Sequence, residues 1–255
     1  MSGHSKWANI KHKKEKADAQ RGQAFTKVTR EIMVAARQGG PDPASNFRLR
    51  LAVEKAKSAN MPNDNIARAI KRGAGEMDGE SYEELTYEGY GPGGVAVLLE
   101  IMTDNRNRTA GDIRHIFSRH GGNLGENGCV SWMFEKKGFL TIDKAEGLPK
   151  GWTEDDLMMQ ALDAGAEDVR SQEESYEITT APADFEKVKE NMEKQGVKFA
   201  SAEVTMLPKN TVEVSTKEAG QLMRLVDALE EHDDVQNVHT NSEISDETLA
   251  ALERE

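Results

Sequence analysis

The spacing of apolar residues changes once along this 255-residue chain, and that change restricts the fold more than any single motif does. Up to residue 73 the spacing is helical. In AFTKVTREIMVAARQGG, Phe25, Val28, Ile32 and Ala35/Ala36 fall on one helical face. Gly39 and Gly40 stop that helix, and Pro41 and Pro43 prevent its resumption. Ser45 is the expected cap of a second helix, NFRLRLAVEKAKSA, in which Phe47/Leu51 and Leu49/Val53 stand four apart. Pro62 ends it. A third short helix, capped by Asn63 or Asp64, carries Ile66 and Ile70 and closes at Gly73. Three short amphipathic helices with tight connections predict a small bundle.

GAGEMDGESYEE follows, Gly-rich and acidic, and reads as a linker. Beyond it strands alternate with helices. YEELTYEGY and GVAVLLEIMT are expected strands around a turn at Gly91–Gly94, TAGDIRHIFSRHGG a helix, and GCVSWMFE another strand. Residues 138–206 then spell strand, helix, two strands, helix and strand, the ferredoxin-like βαββαβ order. NTVEVS, KEAGQLMRLVDALEEH and VQNVHTN (strand, helix, strand) would complete the unit interrupted at about residue 136. The predicted fold is therefore α+β: an N-terminal three-helix bundle followed by two ferredoxin-like α/β domains, one inserted in the other. The expected divisions are 1–75 (basic, helical), 76–136 plus 207–241 (discontinuous α/β), 137–206 (inserted) and 242–255 (a loose acidic tail). A single larger sheet is the alternative.

Charge follows the same division. Residues 1–73 carry 16 Lys/Arg against 6 Asp/Glu, and residues 74–255 carry 17 against 39. A net charge of −12 thus hides a basic head on an acidic body, the pattern of a chain that grips a polyanion. Mutual docking of the two parts is the alternative use of the same charges. No apolar run reaches about 18 residues, so no transmembrane helix or membrane partner is expected. The N-terminal cations are followed by no apolar h-region, so a secretory signal is not expected either. The one cysteine, Cys129, excludes an internal disulfide and a Cys-based zinc cluster. A cytoplasmic protein is the expectation.

No catalytic constellation stands out. His115 and His120 are five apart and fall on different helix faces, so no metal site is expected. Cys129, in an expected strand, reads as buried filler without a His/Asp partner pattern. No enzyme activity, cofactor, metal or small-molecule substrate is predicted. GYGPGG lacks the Lys-Ser/Thr ending of a phosphate loop and precedes a strand, so it reads as a hairpin turn. Its bare backbone at Gly91, Gly93 and Gly94 is a candidate partner contact. TDNRNRT places Arg106 and Arg108 at the positive end of a helix, where cations are unfavourable. Two readings stay open: a phosphate held by the helix N-terminus and both arginines, or pairing with acids such as Glu100 or Asp112.

The opening stretch GHSKWANIKHKK (residues 3–14) contains four lysines, two histidines and Trp7. Lysines meet phosphates without reading sequence, and counterion release drives the affinity. Trp7 suits stacking on an unpaired base, or else pins the arm to the bundle. Asn9 and His12 can reach base edges or 2′-hydroxyls. The candidate nucleic-acid-binding residues are Lys6, Trp7, Asn9, Lys11, His12, Lys13, Lys14, Lys16, Arg21, Lys27 and Arg30.

GHSKWANIKHKK, RGQAFTKVTREI, MPNDNIARAIKRG, YEGYGPGGVAVLLE, TDNRNRT and GGNLGENGCVSWMF, in this order, resemble the YebC/PmpR family. The resemblance covers most of the chain. It implies one helical and two α/β domains in a cytoplasmic, non-enzymatic protein. Mitochondrial relatives are translational activators of a cytochrome oxidase subunit. Members are labelled DNA-binding transcriptional regulators, while some bacterial members are ribosome-associated factors that ease elongation through proline runs. Cys129 departs from the Ser that many relatives carry there. The expected function is a non-enzymatic, nucleic-acid-binding regulator of gene expression. It is read as a translation factor contacting rRNA and tRNA, with promoter DNA as the alternative ligand and a monomer as the favoured state. The acidic body favours RNA, because a long duplex would repel it.

Overall fold

The structure, a computed structural model, describes residues 17–77 and 81–252. Its first elements are three helices, α1 (Ala17–Gly39), α2 (Phe47–Ser58) and α3 (Asn63–Gly73). They enclose Val28, Ile32, Met33, Ala36, Leu49, Ala52, Ala56, Met61, Ile66 and Ala69. Gly40, at φ +90°, ends α1 in the left-handed conformation that favours glycine, and its N–H bonds the Ala36 carbonyl at 2.9 Å. The cap of α2 is Asn46, not Ser45. Its Oδ1 accepts from Leu49 N–H at 3.0 Å, while its Nδ2 donates to the Ala35 and Gly40 carbonyls, each at 2.8 Å. One buried amide thus joins the end of α1 to the start of α2, which a serine hydroxyl is too short to do. Neither Asn63 nor Asp64 caps α3; Pro62 holds that position without a side-chain bond. Asn46→Ala removes the cap and strands two carbonyls, so urea unfolding should show a loss of about 2–3 kcal/mol.

A four-stranded sheet follows. β1 (Glu83–Tyr90) pairs antiparallel with β2 (Ala96–Thr103), from Glu83 opposite Thr103 to Tyr90 opposite Ala96. Helix α4 (Arg106–Arg119) and the short β3 (Asn123–Leu124) come next. The expected strand GCVSWMFE is a turn and a 3₁₀ helix, Ser131–Met133, and only from Phe134 does a strand begin. The cause is Glu88. Its buried carboxylate accepts N–H bonds from Gly128 (2.7 Å), Val130 (2.8 Å) and Ser131 (2.8 Å), which takes these donors away from any ladder.

Residues 134–207 form a separate compact unit. It runs β4 (Phe134–Asp143), α5 (Glu154–Ala164), β5 (Asp168–Ser171), β6 (Ser175–Thr180), α6 (Phe185–Lys194) and β7 (Ser201–Pro208). The sheet order is β5-β6-β4-β7. Leu140, Ile142, Leu157, Ala161, Ile178, Phe185, Val188 and Met192 are buried. Thr153 and Asp156 form a reciprocal capping box on α5.

The chain then completes the first unit with β8 (Val212–Glu213), α7 (Thr216–Glu230), β9 (Val235–Thr240), β10 (Ser242–Glu243) and α8 (Asp246–Leu252). Its main sheet has the order β3-β1-β2-β9. Position by position this matches β5-β6-β4-β7, with α4 and α7 in the places of α5 and α6. The strand equivalent to β6 comes first in the chain instead of third, as β1. The link from β3 that would enter that strand is free, and the inserted unit leaves from there. NTVEVS does not join this sheet: only Val212 and Glu213 pair, in parallel with Ser242 and Glu243. That pairing also ties down the C-terminal segment expected to be loose, where Ile244 is 5% exposed and joins the apolar core. The core holds Val97, Leu99, Ile101, Ile113, Phe117, Leu222, Leu225 and Val238. The fold is α+β, with three N-terminal helices followed by two sheet-and-helix units, one inserted in the other. Among the described residues, no helix is long and apolar enough to cross a membrane.

Candidate nucleic-acid interface

Helix α1 presents Gln23, Lys27 and Arg30 along one face, at i, i+4 and i+7. That face meets the end of α7. Gln23 donates to the Glu231 carbonyl, and Lys27 Nζ to the Glu230 carbonyl at 2.5 Å. The last carbonyls of a helix lack partners and carry partial negative charge, so a cation is favoured there. Arg30 goes further in. It donates to Asp234 Oδ1 at 2.8 Å and to the Asp233 carbonyl at 2.5 Å, with its guanidinium 4.9 Å from the Tyr82 ring centre. Its side chain is 13% exposed. Lys27 and Arg30, expected to face phosphates, are instead inward-facing links from α1 to the end of α7 and to the turn that enters β9. Charges bunched at one end of a chain cannot show which of them turn inward.

Asp234 is the centre of this junction. Its side chain is 3% exposed. Oδ2 accepts from Thr109 Oγ1 (2.6 Å), Thr103 Oγ1 (3.0 Å) and Arg108 (3.0 Å). Burial alone would raise its pKa. The hydrogen bonds from Thr109, Arg108 and Thr103 and the charge of Arg30 outweigh burial and hold it at about 2. Arg108 also pairs with Asp104 at 2.7 Å. Of the two readings of TDNRNRT, pairing with acids describes Arg108, but the acids are Asp104 and Asp234. Glu100 instead accepts from Asn237 at 2.6 Å, and Asp112 faces His232 at 3.4 Å. Asn105 caps α4, its Oδ1 accepting from Arg108 N–H at 3.1 Å. Arg106 is exposed, 3.9 Å from Glu83.

The GPGG turn divides likewise. Gly91 is buried, and a Cβ there would lie 3.0 Å from a Leu222 methyl and 3.2 Å from one of Leu225. Gly93 and Gly94 are exposed, with φ +72° and +73°, so the tip needs glycine for its backbone geometry. Cys129 is half-buried in the turn rather than in a strand, and burial pushes its thiol pKa up, away from nucleophile chemistry. Among the described residues no group of three His, Cys, Asp or Glu is placed to hold a metal ion.

Lys6, Trp7, Asn9, Lys11, His12, Lys13, Lys14 and Lys16 lie outside the described residues, and Arg21 falls within α1. The helices add cations not among those candidates. Lys55 and Lys57 in the last turn of α2, and Arg68, Lys71 and Arg72 on α3, are all exposed. The sequence signal for them is the cationic side of each amphipathic helix. Arg48 differs: it is bound to Glu31 (2.8 Å) and Glu84 (2.5 Å).

Residues 5–76 match the family model of the TACO1/YebC protein N-terminal domain, and residues 82–242 that of the TACO1/YebC second and third domain. A protein of Pelotomaculum thermopropionicum is 62% identical over 246 residues, covering 96% of this chain and 100% of the relative. One from Natranaerobius thermophilus is 56% identical over 98% of this chain and 99% of its own length. Both are named "Probable transcriptional regulatory protein". The crystal structure of a conserved hypothetical protein from Aquifex aeolicus superposes with a TM-score of 0.83 at 52% identity, covering 94% of this chain and 97% of that one. Matches over all three domains, in sequence and in fold, carry one conclusion: the chain belongs to the TACO1/YebC family.

Proposed function

We propose that this chain is a non-enzymatic, cytoplasmic regulator of gene expression that holds nucleic acid through its N-terminal helices and the basic arm before them. The observation that carries this reading is the sorting of cations on the helices. Those facing the first sheet, Lys27 and Arg30, are engaged, whereas Lys55, Lys57, Lys71 and Arg72 face solvent. A net +10 over residues 1–73 makes that surface attractive to phosphates.

RNA is the favoured polymer, with a ribosome-associated role in easing elongation through proline-rich stretches by contact with rRNA and tRNA. The 17 basic against 39 acidic residues beyond position 73 support it, since a long duplex would repel such a body. The second reading, promoter DNA, has the names of the relatives behind it. Ultraviolet crosslinking of the tagged protein in growing cells, followed by sequencing of the attached nucleic acid, tests the choice. Dominant rRNA or tRNA supports the translation reading. Few RNA links, with discrete promoter DNA in a parallel formaldehyde experiment, support transcription.

Replacing Lys55, Lys57, Lys71 and Arg72 together by Ala tests the surface itself. The slope of log affinity against log salt for a single-stranded RNA should become shallower by about 3, at roughly 0.7 per phosphate contact. An unchanged slope places the contacts elsewhere.

A further inference from the structure

Trp132 is the most exposed of the large apolar side chains described, at 62%. It is nonetheless held. Its indole N–H donates to the Cys129 carbonyl at 3.2 Å, and Tyr90, itself 36% exposed, donates its hydroxyl to the same oxygen at 3.1 Å. Both rings thus spend their only polar hydrogens inward, on one backbone atom. The loop under them is fastened by the three N–H bonds to Glu88, and Lys209 Nζ donates to the Trp132 carbonyl at 3.0 Å. An exposed aromatic usually gains by collapsing onto the protein; this one is kept out on a braced loop, with its conformational entropy already spent.

We propose that Trp132, flanked by Tyr90 and Lys209, is a stacking platform for an unpaired nucleobase of RNA. The inference rests on the nucleic-acid reading above. The occupant follows from what the platform leaves outward. No ring hydrogen-bond donor remains to read a base edge, so the ring face takes any base. An ammonium with two unused hydrogens lies beside it for the adjoining phosphate. The carboxylate beneath the loop, Glu88, is buried and satisfied by backbone N–H groups; burial pushes its pKa up, and those bonds outweigh burial and lower it.

Quenching is read on the full chain with Trp7→Phe and Trp152→Phe, so that Trp132 is the sole reporter, and at oligoadenylate concentrations that saturate this variant, because Trp7 belongs to the proposed binding arm. Ligands are a 20-nucleotide oligoadenylate, the same length of abasic backbone, and a proline-rich peptide. The oligoadenylate should quench Trp132 fluorescence and the abasic chain should not. In the otherwise natural chain, Trp132→Ala should weaken oligoadenylate binding about 5- to 150-fold, Trp132→Phe less, and neither should change the salt slope. Circular dichroism melting reports whether the variants fold, and the Phe variant keeps the comparison available if Ala perturbs the loop. Binding without quenching, with Trp132→Ala binding as tightly as the natural chain, overturns the platform and leaves the basic-surface reading intact. Quenching by the peptide alone, or by protein concentration alone, assigns the platform to a protein partner or a second copy and overturns it. No binding of either nucleic-acid backbone by the natural chain overturns both readings.

Discussion

Asp234→Ala is expected to lower the unfolding free energy by about 3–5 kcal/mol, because it removes one partner of a buried ion pair. Arg30, 13% exposed, would keep its charge without the carboxylate 2.8 Å away. Thr103 and Thr109 would lose the acceptor their hydroxyls share, and Arg108 one of its two acids. The damage should not stay local, since Arg30 belongs to α1 and Asp234 to the turn entering β9. Urea unfolding of both proteins at pH 7 measures it, and a difference under 1 kcal/mol would sink the argument. Adding Arg30→Met should cost less than the sum of the two single changes, because the stranded charge goes with it.

The same carboxylate gives the protein an acid limb. Its folded-state pKa of about 2 lies below the ordinary 3.8. Its contribution is therefore complete above about pH 5, where the carboxylate is ionised both folded and unfolded. It is lost as pH falls from there through about 2. The loss is about 2 kcal/mol, at 1.36 kcal/mol per pKa unit. Repeating the unfolding at pH 2 should find the gap between natural chain and variant narrowed by about that amount.

Glu88→Ala should cost about 3 kcal/mol or more, since Gly128, Val130 and Ser131 would each lose the acceptor for an N–H group. Hydrogen exchange separates this from a general weakening. Those three amides should lose protection well beyond the loss at β1 and β2. Uniform loss across the sheet would mean the carboxylate supports the strand and not the loop. Because Trp132 stands on that loop, its fluorescence should also become more mobile in the variant.

Gly91 and Asn46 show how local signals and distant partners divide the work. GPGG reads as a turn from its own residues, because two positive φ angles need glycine. That a Cβ at Gly91 would press on the methyls of Leu222 and Leu225 depends on residues far along the chain. Ser45 and Asn46 are both good cap residues, so their own sequence cannot choose between them. The choice falls to Asn46 because its amide reaches back to Ala35 and Gly40.

The sequence alone determined the elements with sustained periodicity: the three N-terminal helices, the β1–β2 hairpin, and the βαββαβ order of the inserted unit. Those rest on side chains three or four, or two, apart, and on caps and turns closed by near neighbours. It also determined that a basic head precedes an acidic body. Tertiary structure decided which cations face out. Lys27 and Arg30 turn inward because their partners, Glu230, Asp233 and Asp234, lie over 200 positions away. It also decided that GCVSWMFE is a braced turn, because Glu88, some 40 residues earlier, takes its N–H groups. Strand and turn compete for the same backbone donors, and the winner is set by an acceptor that only the folded chain brings near.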